Sequence, residues 1–206
     1  MHYLIGIDEA GRGSWAGPVV AWAFCVPLGY DFSVFPGLTD SKQISERWRE
    51  ILYDLIADAS EKWGCIFTYG STDAETIDRV GIREANRLAM EWALEQILQI
   101  TSLENITEIQ IDGRDNYIFP GIPIDKIRYI IRWDLTQKVI SAASIVAKVT
   151  RDRMMCDFSL KYSGYYLDRH KGYGTRRHQE ALLSYGITPI HRKSYAPVKR
   201  LILSES

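Results

Sequence analysis

Two adjacent carboxylates, Asp8 and Glu9, follow a short apolar run at residues 3–7 and lead directly into the turn Gly11-Arg12-Gly13. The run is too short for a helix and predicts a buried strand. Glycines let a ligand approach the backbone closely, and an arginine fork matches phosphate oxygens. Acids, accessible backbone and a cation at one strand end indicate metal-assisted phosphate chemistry, although such acids can equally solvate a turn.

Two further aspartates end apolar runs downstream. Asp112 closes residues 108–112, just before a glycine, and Asp134 closes residues 127–134. Divalent Mg²⁺ and Mn²⁺ prefer oxygen ligands, and sites that cut phosphodiesters hold few carboxylates per ion, so that water and phosphate complete the shell. Separate strands could bring all the acids together. Taken singly, either aspartate could instead end an ordinary turn or cap the next segment.

Apolar periodicity predicts the elements that would position these acids. We expect strands at residues 19–26 and 65–70 and helices at residues 45–62, 83–100 and 140–160. The first two strands should form a hairpin, and Ser45 is a credible N-cap. The small residues 141–144 would let the last of these helices approach a ligand or the sheet. The pattern is that of an α/β layer fold with a short basic helical tail.

Length and composition favour one domain. The 206 residues, 46% of them hydrophobic, can bury a real core. We expect a core at residues 1–160 and a basic C-terminal extension at 161–206, packed on the same domain. No apolar run is long enough to span a membrane and no signal peptide is visible, which predicts a soluble, cytoplasmic protein, expected to be a monomer. Cys25, Cys65 and Cys156 are predicted to be reduced core residues.

Charge is unevenly distributed along the chain. Although the net charge is −1, residues 161–206 hold nine Lys and Arg against three acids, which leaves 16 against 23 for residues 1–160. A basic surface of this kind is typical of nucleic-acid binders, and is about as often an ordinary solvated surface.

Taken together, these motifs resemble those of type-2 ribonuclease H, the ribonuclease HII family. Asp8-Glu9 continues into Gly-Arg-Gly, the third acid lies in an apolar strand before a glycine, and residues 140–152 repeat the family's Ile-Ser-Ala-Ala-Ser-Ile-hydrophobic-Ala-Lys-Val-Thr-Arg-Asp segment almost letter for letter. The resemblance spans residues 6–198. It implies a ribonuclease H-like mixed sheet flanked by helices.

The resemblance also implies the reaction. Members hydrolyse the RNA strand of RNA–DNA hybrids and cut 5′ of single ribonucleotides in duplex DNA, leaving a 5′-phosphate and a 3′-hydroxyl. Two divalent ions, Mn²⁺ or Mg²⁺, would be held by Asp8, Glu9, Asp112 and Asp134, with Asp8 as the bridging ligand. The partners would be RNA–DNA hybrid and ribonucleotide-containing duplex DNA.

Substrate contacts follow from the same resemblance. Gly11, Arg12 and Gly13 would read the ribose 2′-hydroxyl through backbone groups, and Tyr173 would stack on the sugar at the RNA–DNA junction. The remaining candidate contacts to the substrate backbone are Ser41, Lys42, Ser144, Lys148 and the cations of residues 189–198. Ser144 and Lys148 share one helical face, near a helix N-terminus that would favour phosphate.

Several alternatives remain open. Ser14 stands where the family commonly has proline, and Trp133 stands where a small residue usually precedes the fourth acid. An indole there could weaken catalysis, which would leave a hybrid-binding protein. A ribonuclease HIII-like nuclease is less favoured, because only Met1 and His2 precede the first strand. A phosphate-binding metabolic enzyme would need a Gly-x-x-x-x-Gly-Lys-Ser/Thr loop, which we do not find. No clamp-binding motif is visible at residues 201–206.

Overall fold

The computed structural model describes residues 1–39, 41–131 and 137–204. The five strands are β1 (Tyr3–Ala10), β2 (Val19–Pro27), β3 (Ile66–Thr72), β4 (Ile106–Asp112) and β5 (Ile127–Ile130). The helices are α1 (Glu46–Trp63), α2 (Ala74–Val80), α3 (Ile82–Ile100), α4 (Lys138–Lys161), α5 (Leu167–His170), α6 (Arg176–Tyr185) and α7 (Ala196–Ser204). Short 3-10 turns lie at Phe32–Val34, Ser41–Gln43, Leu103–Asn105 and Ile124–Lys126.

The strands form one mixed sheet in the order β3-β2-β1-β4-β5. The predicted hairpin is confirmed, because β1 and β2 pair antiparallel, whereas β4 runs parallel to β1 and to β5. Ile7 lies opposite Ile111 in the parallel pair. The next residue on each strand, Asp8 and Asp112, therefore lies at the same edge of the sheet.

Helices cover both faces of the sheet. Alternate residues of a strand point to opposite faces, and β2 is apolar on both: Trp22 and Phe24 pack toward α1 and α4, whereas Ala21 and Ala23 pack toward α3. This arrangement confirms the predicted α/β fold of a mixed sheet flanked by helices.

Glycine permits a close contact between the sheet and α4. A Cβ atom at Gly6 of β1 would lie 2.5 Å from the carbonyl carbon of Val139, in the first turn of the helix. The small-residue segment that follows is buried from Ser141 to Ser144. The prediction that this part of the helix approaches the sheet is thus confirmed.

Some predicted elements differ from the observed ones. β1 continues through Ala10, so that Asp8 and Glu9 lie within the strand and not after it. α2 was not predicted, because a helix this short carries little periodicity; its start is nevertheless capped by Asp73, which accepts a hydrogen bond from the Thr76 amide. β5 ends at Ile130.

Three predicted features fall outside what the structure describes. Trp133 and the fourth predicted acid, Asp134, lie outside the described residues, as does the side chain of Lys42. The cysteine prediction holds for Cys25 and Cys65, which are buried and free. Cys156 is also free, as predicted, but it is not a core residue: it is only half-buried, and its sulfur accepts a hydrogen bond from the Lys171 ammonium at 3.2 Å.

The C-terminal helices pack on the end of α4. A small apolar cluster joins Met155 of α4 and Ala16 to Tyr165, Leu167 and Leu182. The division of the chain at residue 160 stays a prediction. Among the helices of residues 1–39, 41–131 and 137–204, none is long and apolar enough to cross a bilayer.

Candidate active site

Asp8 lies at the centre of an acidic cluster. The residue is 7% exposed, and its carboxylate accepts a hydrogen bond from the Glu9 amide at 2.7 Å. Burial raises the pKa of Asp8 well above its ordinary value, and the charges of Glu9 and Asp112 raise it further. Hydrogen bonds from Ser144 and the Glu9 amide oppose this rise. Asp8, Glu9 and Asp112, three of the four predicted acids, therefore lie close enough together to interact electrostatically.

The second acid, Glu9, has a more balanced environment. Burial raises its pKa, the Arg12 charge lowers it, the Asp112 charge raises it and a hydrogen bond from Asn86 lowers it, with a net increase. Ionised acids crowded in this way repel one another. The cluster therefore favours protons or a cation.

The donor chemistry of the cluster fits a hard divalent ion, since carboxylate and hydroxyl oxygens are the ligands that Mg²⁺ and Mn²⁺ prefer. The three described acids do not close around an ion: among the residues described by the structure, no three His, Cys, Asp or Glu side chains converge into a metal-holding group. The fourth predicted ligand, Asp134, is not among them.

Two serines support the acid cluster from the side of α4. Ser144 hydrogen-bonds Asp8, and its hydroxyl lies 2.9 Å from that of the buried Ser41. The prediction that places Ser144 and Lys148 near the helix N-terminus is wrong, because α4 begins at Lys138 and the dipole effect falls off within the first turn. The Lys148 ammonium lies 2.6 Å from the Asp152 carboxylate.

The glycine turn is held in an unusual backbone conformation. Gly11 has φ +94°, and a Cβ atom there would lie 1.9 Å from Nε of Arg151.

The Arg12 guanidinium forms a close ion pair with Asp115 and lies 3.7 Å from Glu9. The arginine that the sequence presents as a phosphate-matching cation is thus paired within the protein.

Two buried arginines hydrogen-bond the backbone of the glycine turn and of the segments next to it. Arg151 donates to the carbonyl oxygens of Ala16, Pro18 and Lys171 at 2.8–3.1 Å. Arg192 is fully buried and donates to the carbonyl oxygens of Gly17 and Arg12 and to the Tyr195 hydroxyl. The prediction that the cations of residues 189–198 contact substrate is therefore wrong for Arg192, since its donors are used inside the protein.

Tyr173 lies across the cleft from the glycine turn. Its side chain is 40% exposed, and a Cβ atom at Gly13 would lie 3.9 Å from the ring. The preceding glycine ties the two loops together, because the Gly172 carbonyl accepts hydrogen bonds from the amides of Trp15 and Ala16 at 2.8 and 3.3 Å.

Most of the described candidates line one cleft of about 420 Å³. Its walls are formed by Asp8, Glu9, Ala10, Gly11, Arg12, Gly13, Ser41, Ser144, Lys148 and Tyr173. The cleft therefore places acids, accessible backbone and an aromatic ring within reach of one ligand.

Two polar residues of the site, Asn86 and Asp115, were not predicted from the sequence. Asn86 is fully buried on α3 and donates to the Tyr117 hydroxyl at 3.1 Å as well as to Glu9. Asp115 anchors Arg12. An asparagine within the apolar stripe of a helix is a signal that could have revealed the first, whereas Asp115 resembles any loop acid.

The comparison with known proteins decides the family. The family model described as Ribonuclease HII matches residues 5–198. The chain belongs to the ribonuclease HII family. Membership makes it an endoribonuclease, a hydrolase. The ribonuclease HII of Leuconostoc mesenteroides subsp. mesenteroides is 41% identical over 199 residues, which are 97% of this chain and 72% of that protein.

Solved structures agree in fold. The ribonuclease H2 of Pyrococcus horikoshii OT3 has a TM-score of 0.76 and 23% identity, and the match covers 98% of each chain. Bst-RNase HIII in complex with Mn²⁺ has a TM-score of 0.72 and 17% identity, covering 98% of this chain and 70% of that one. At these identities the similarity shows the ribonuclease H-like fold alone.

Acid should weaken this ribonuclease HII fold through two buried histidines. Burial lowers the pKa of His178 and of His191 to about 4 from an ordinary 6.5. The unfolded chain therefore takes up protons before the folded one as the pH falls, so stability is fully present above about pH 6.5 and is lost progressively toward pH 4. The buried acids Asp8 and Glu9 act in the opposite direction, because their raised pKa values add stability as the pH falls. The histidine contribution is therefore measured by comparing the unmodified protein with a histidine variant, each unfolded by denaturant in chelator at pH 7.5 and pH 5.

A substitution that removes one of these histidines tests the cause. His178→Asn should reduce the loss of unfolding free energy between the two pH values, whereas the exposed His2→Gln should leave it as in the unmodified protein. Equal acid sensitivity in both variants would contradict the assignment.

Proposed function

We propose that this protein hydrolyses the RNA strand of RNA–DNA hybrids and cuts 5′ of single ribonucleotides in duplex DNA, leaving a 5′-phosphate and a 3′-hydroxyl. The observation that carries the proposal is the single cleft that joins Asp8 and Glu9 to the glycine turn and Tyr173. A ribonucleotide-specific nuclease requires acids near the phosphate that it cuts, and backbone groups beside them that can hydrogen-bond the ribose 2′-hydroxyl. Its monomeric state, cytoplasmic location and lack of a clamp-binding motif stay predictions.

Asp8, Glu9 and Asp112, together with Asp134, are proposed as the ligands of Mn²⁺ or Mg²⁺. The chemistry that such ions supply is activation of a water and stabilisation of the departing 3′-oxygen. The buried Asp8 is held by the Glu9 amide and by Ser144. Its carboxylate is thus oriented before substrate arrives, which lowers the entropic cost of reaching the reactive geometry.

Discrimination of RNA from DNA is proposed to reside in the backbone of Gly11, Arg12 and Gly13. Only the 2′-hydroxyl distinguishes the two sugars, and backbone groups can bond to it. The Arg12 carbonyl accepts hydrogen bonds from Arg192 at 3.0 Å and from the Tyr195 hydroxyl at 2.5 Å. The peptide that would contact the sugar is therefore held rigidly. Tyr173, facing this turn, would stack on the neighbouring deoxyribose.

Replacing the buried Arg192 should make the backbone of the glycine turn less rigid. In Arg192→Met, the Gly17 carbonyl loses both of its hydrogen bonds from this arginine, and the Arg12 carbonyl keeps the Tyr195 hydroxyl as a donor but loses the guanidinium. We expect cleavage at a single ribonucleotide to fall by about 10- to 100-fold, as for other misplaced groups. The measurement is kcat/KM on a duplex with one ribonucleotide. Arg79→Met removes one exposed cation and should leave kcat/KM within about twofold of the original.

The proposed function is tested with a labelled DNA duplex that carries one ribonucleotide, beside an all-DNA duplex of the same sequence. Each is incubated with Mg²⁺, Mn²⁺ or chelator. We expect a cut 5′ of the ribonucleotide with a divalent ion, none with chelator and none in the all-DNA duplex. Binding without cleavage in either ion would refute the nuclease proposal in favour of a hybrid-binding protein.

A further inference from the structure

Three buried histidines lie together beneath the loop that carries Tyr173. His170, His178 and His191 are 9%, 0% and 1% exposed. The ring centroids of His170 and His178 lie 4.5 Å apart, and those of His178 and His191 lie 5.2 Å apart. They come from three separate segments, namely the end of α5, α6 and the chain before α7.

The hydrogen bonds of this cluster determine where each proton lies. His191 Nδ1 accepts from the Thr188 amide at 2.9 Å, so a neutral His191 carries its proton on Nε2. That proton must be donated to His178 Nε2, 3.0 Å away. His178 therefore carries its own proton on Nδ1, which lies 3.0 Å from the Tyr173 carbonyl oxygen.

His170 follows the same logic. Its Nδ1 accepts from the Gly172 amide at 3.3 Å, and its Nε2 lies 2.8 Å from the Tyr165 carbonyl oxygen. An Nε2–H form satisfies both contacts. All three imidazoles are then neutral, and the N–H groups of His191 and His178 point in one direction, from the Thr188 amide to Tyr173.

We propose that His178 and His191 are positioning residues for Tyr173. The ordered N–H chain fixes the Tyr173 carbonyl from beneath the cleft, and thereby the loop that presents the ring to substrate. The inference rests on the proposed function, in which Tyr173 contacts the sugar.

The loop itself requires such an anchor. Lys171 and Gly172 both have positive φ values, +50° and +79°, so that no helical ladder continues through them. The Tyr173 carbonyl accepts from the Thr175 amide within its own loop at 2.8 Å, and from His178 as the link to α6. His178 also packs against Trp15, with ring centroids 5.7 Å apart. The same imidazole thus contacts both the loop that carries Tyr173 and the segment that follows the glycine turn.

A matched pair of variants separates donation from space filling. In His178→Asn, the amide nitrogen falls near the position of Nδ1 and can still donate to the Tyr173 carbonyl. In His178→Gln, the amide reaches the position of Nε2 and can accept from His191, but nothing then donates to Tyr173 from this side chain. Both replacements are uncharged amides.

The first measurement is steady-state cleavage of the duplex with one ribonucleotide, with melting temperatures to confirm that both variants fold. We expect His178→Gln to raise KM about tenfold with kcat changed by less than about threefold, and His178→Asn to keep KM within about threefold of the original. The reason is that stacking on the sugar stabilises the bound substrate and the transition state equally, so weakening it raises KM and leaves kcat unchanged. The proposal would be overturned if KM increased equally in both variants, or if it increased in neither.

The second measurement needs neither substrate nor a folded variant. Nitrogen-15 spectra of the imidazoles in the unmodified protein at pH 7 should show the Nδ1–H form for His178 and the Nε2–H form for His170 and His191. Any other tautomer for His178 or His191 would overturn the ordered chain. If the tautomers are as expected but the unmodified protein does not cleave, the proposed function fails while the anchoring of Tyr173 stands.

Discussion

Asp8→Asn should lower cleavage of a ribonucleotide-containing duplex by at least about a thousandfold, since removing a metal ligand takes away several kcal/mol of transition-state stabilisation. The fold should be kept. The asparagine oxygen can still accept from the Glu9 amide, and its nitrogen can donate to Ser144. Single-turnover cleavage with saturating Mn²⁺ is the measurement. Asp125→Asn, which removes an exposed carboxylate, is the control with the same change of charge.

Stability should change in the opposite direction. Burial and the neighbouring acids raise the pKa of Asp8 in the folded protein. At pH values between the pKa of an ordinary aspartate and this raised pKa, the folded state binds more protons than the unfolded chain. The free energy of unfolding therefore falls as the pH rises between the two pKa values. At pH 7.5 in chelator, Asp8→Asn should therefore unfold with about 1 kcal/mol more free energy than the original.

Metal titration completes this test. Mn²⁺ should raise the melting temperature of the unmodified protein more than that of Asp8→Asn, because binding to the folded state stabilises it by mass action. Cleavage by Asp8→Asn at the original rate, or identical responses of the two proteins to Mn²⁺, would remove Asp8 from the proposed site.

Gly6→Ala should cost about 3 kcal/mol or more of unfolding free energy. The added methyl would lie 2.5–2.7 Å from backbone atoms of Val139 and Ile140, and backbone at the start of a packed helix cannot yield as a flexible side chain can. β1 and α4 would be forced apart. Because β1 carries Asp8 and α4 carries Ser144, activity per folded molecule should fall as well. Chemical denaturation measures the loss of unfolding free energy. The cleavage rate divided by the concentration of folded protein measures the loss of activity.

A second glycine provides the matched control. Gly64 ends α1 with φ +66°, and no atom lies within 4 Å of a Cβ built there. Gly64→Ala therefore adds only the strain of a left-handed residue, about 1 kcal/mol, with unchanged activity. Equal destabilisation by the two substitutions would show that close contact with α4 is not what Gly6 permits.

The sequence pattern was sufficient to predict elements whose formation depends on residues close together in the chain. The periodicity of α1 and its N-cap Ser45, which accepts from the Trp48 amide, agree with the prediction. β2, predicted over residues 19–26, is observed from Val19 to Pro27. The bounds of β1 were less accurate, because two charged residues usually end a strand, whereas pairing with β2 carries this one through Ala10.

Buried polar contacts could not be predicted in the same way. Arginines are mostly exposed in proteins, so nothing in the sequence distinguishes Arg151 and Arg192, which are buried because the loop carbonyls need donors. The hydrogen bond between His178 and His191 joins segments of the chain that come together only in the fold.

The sequence by itself determined the fold class and the family, and it predicted the four acids, because strand and helix periodicity and contiguous motifs depend on near neighbours. Only the tertiary structure decided that Asp8 meets Asp112, that Arg12 is paired with Asp115, and that Tyr173 faces the glycine turn. These contacts depend on the parallel pairing of β1 with β4 and on hydrogen bonds that bury polar groups. Such contacts join residues far apart in the chain, and only the packing of the whole molecule selects them.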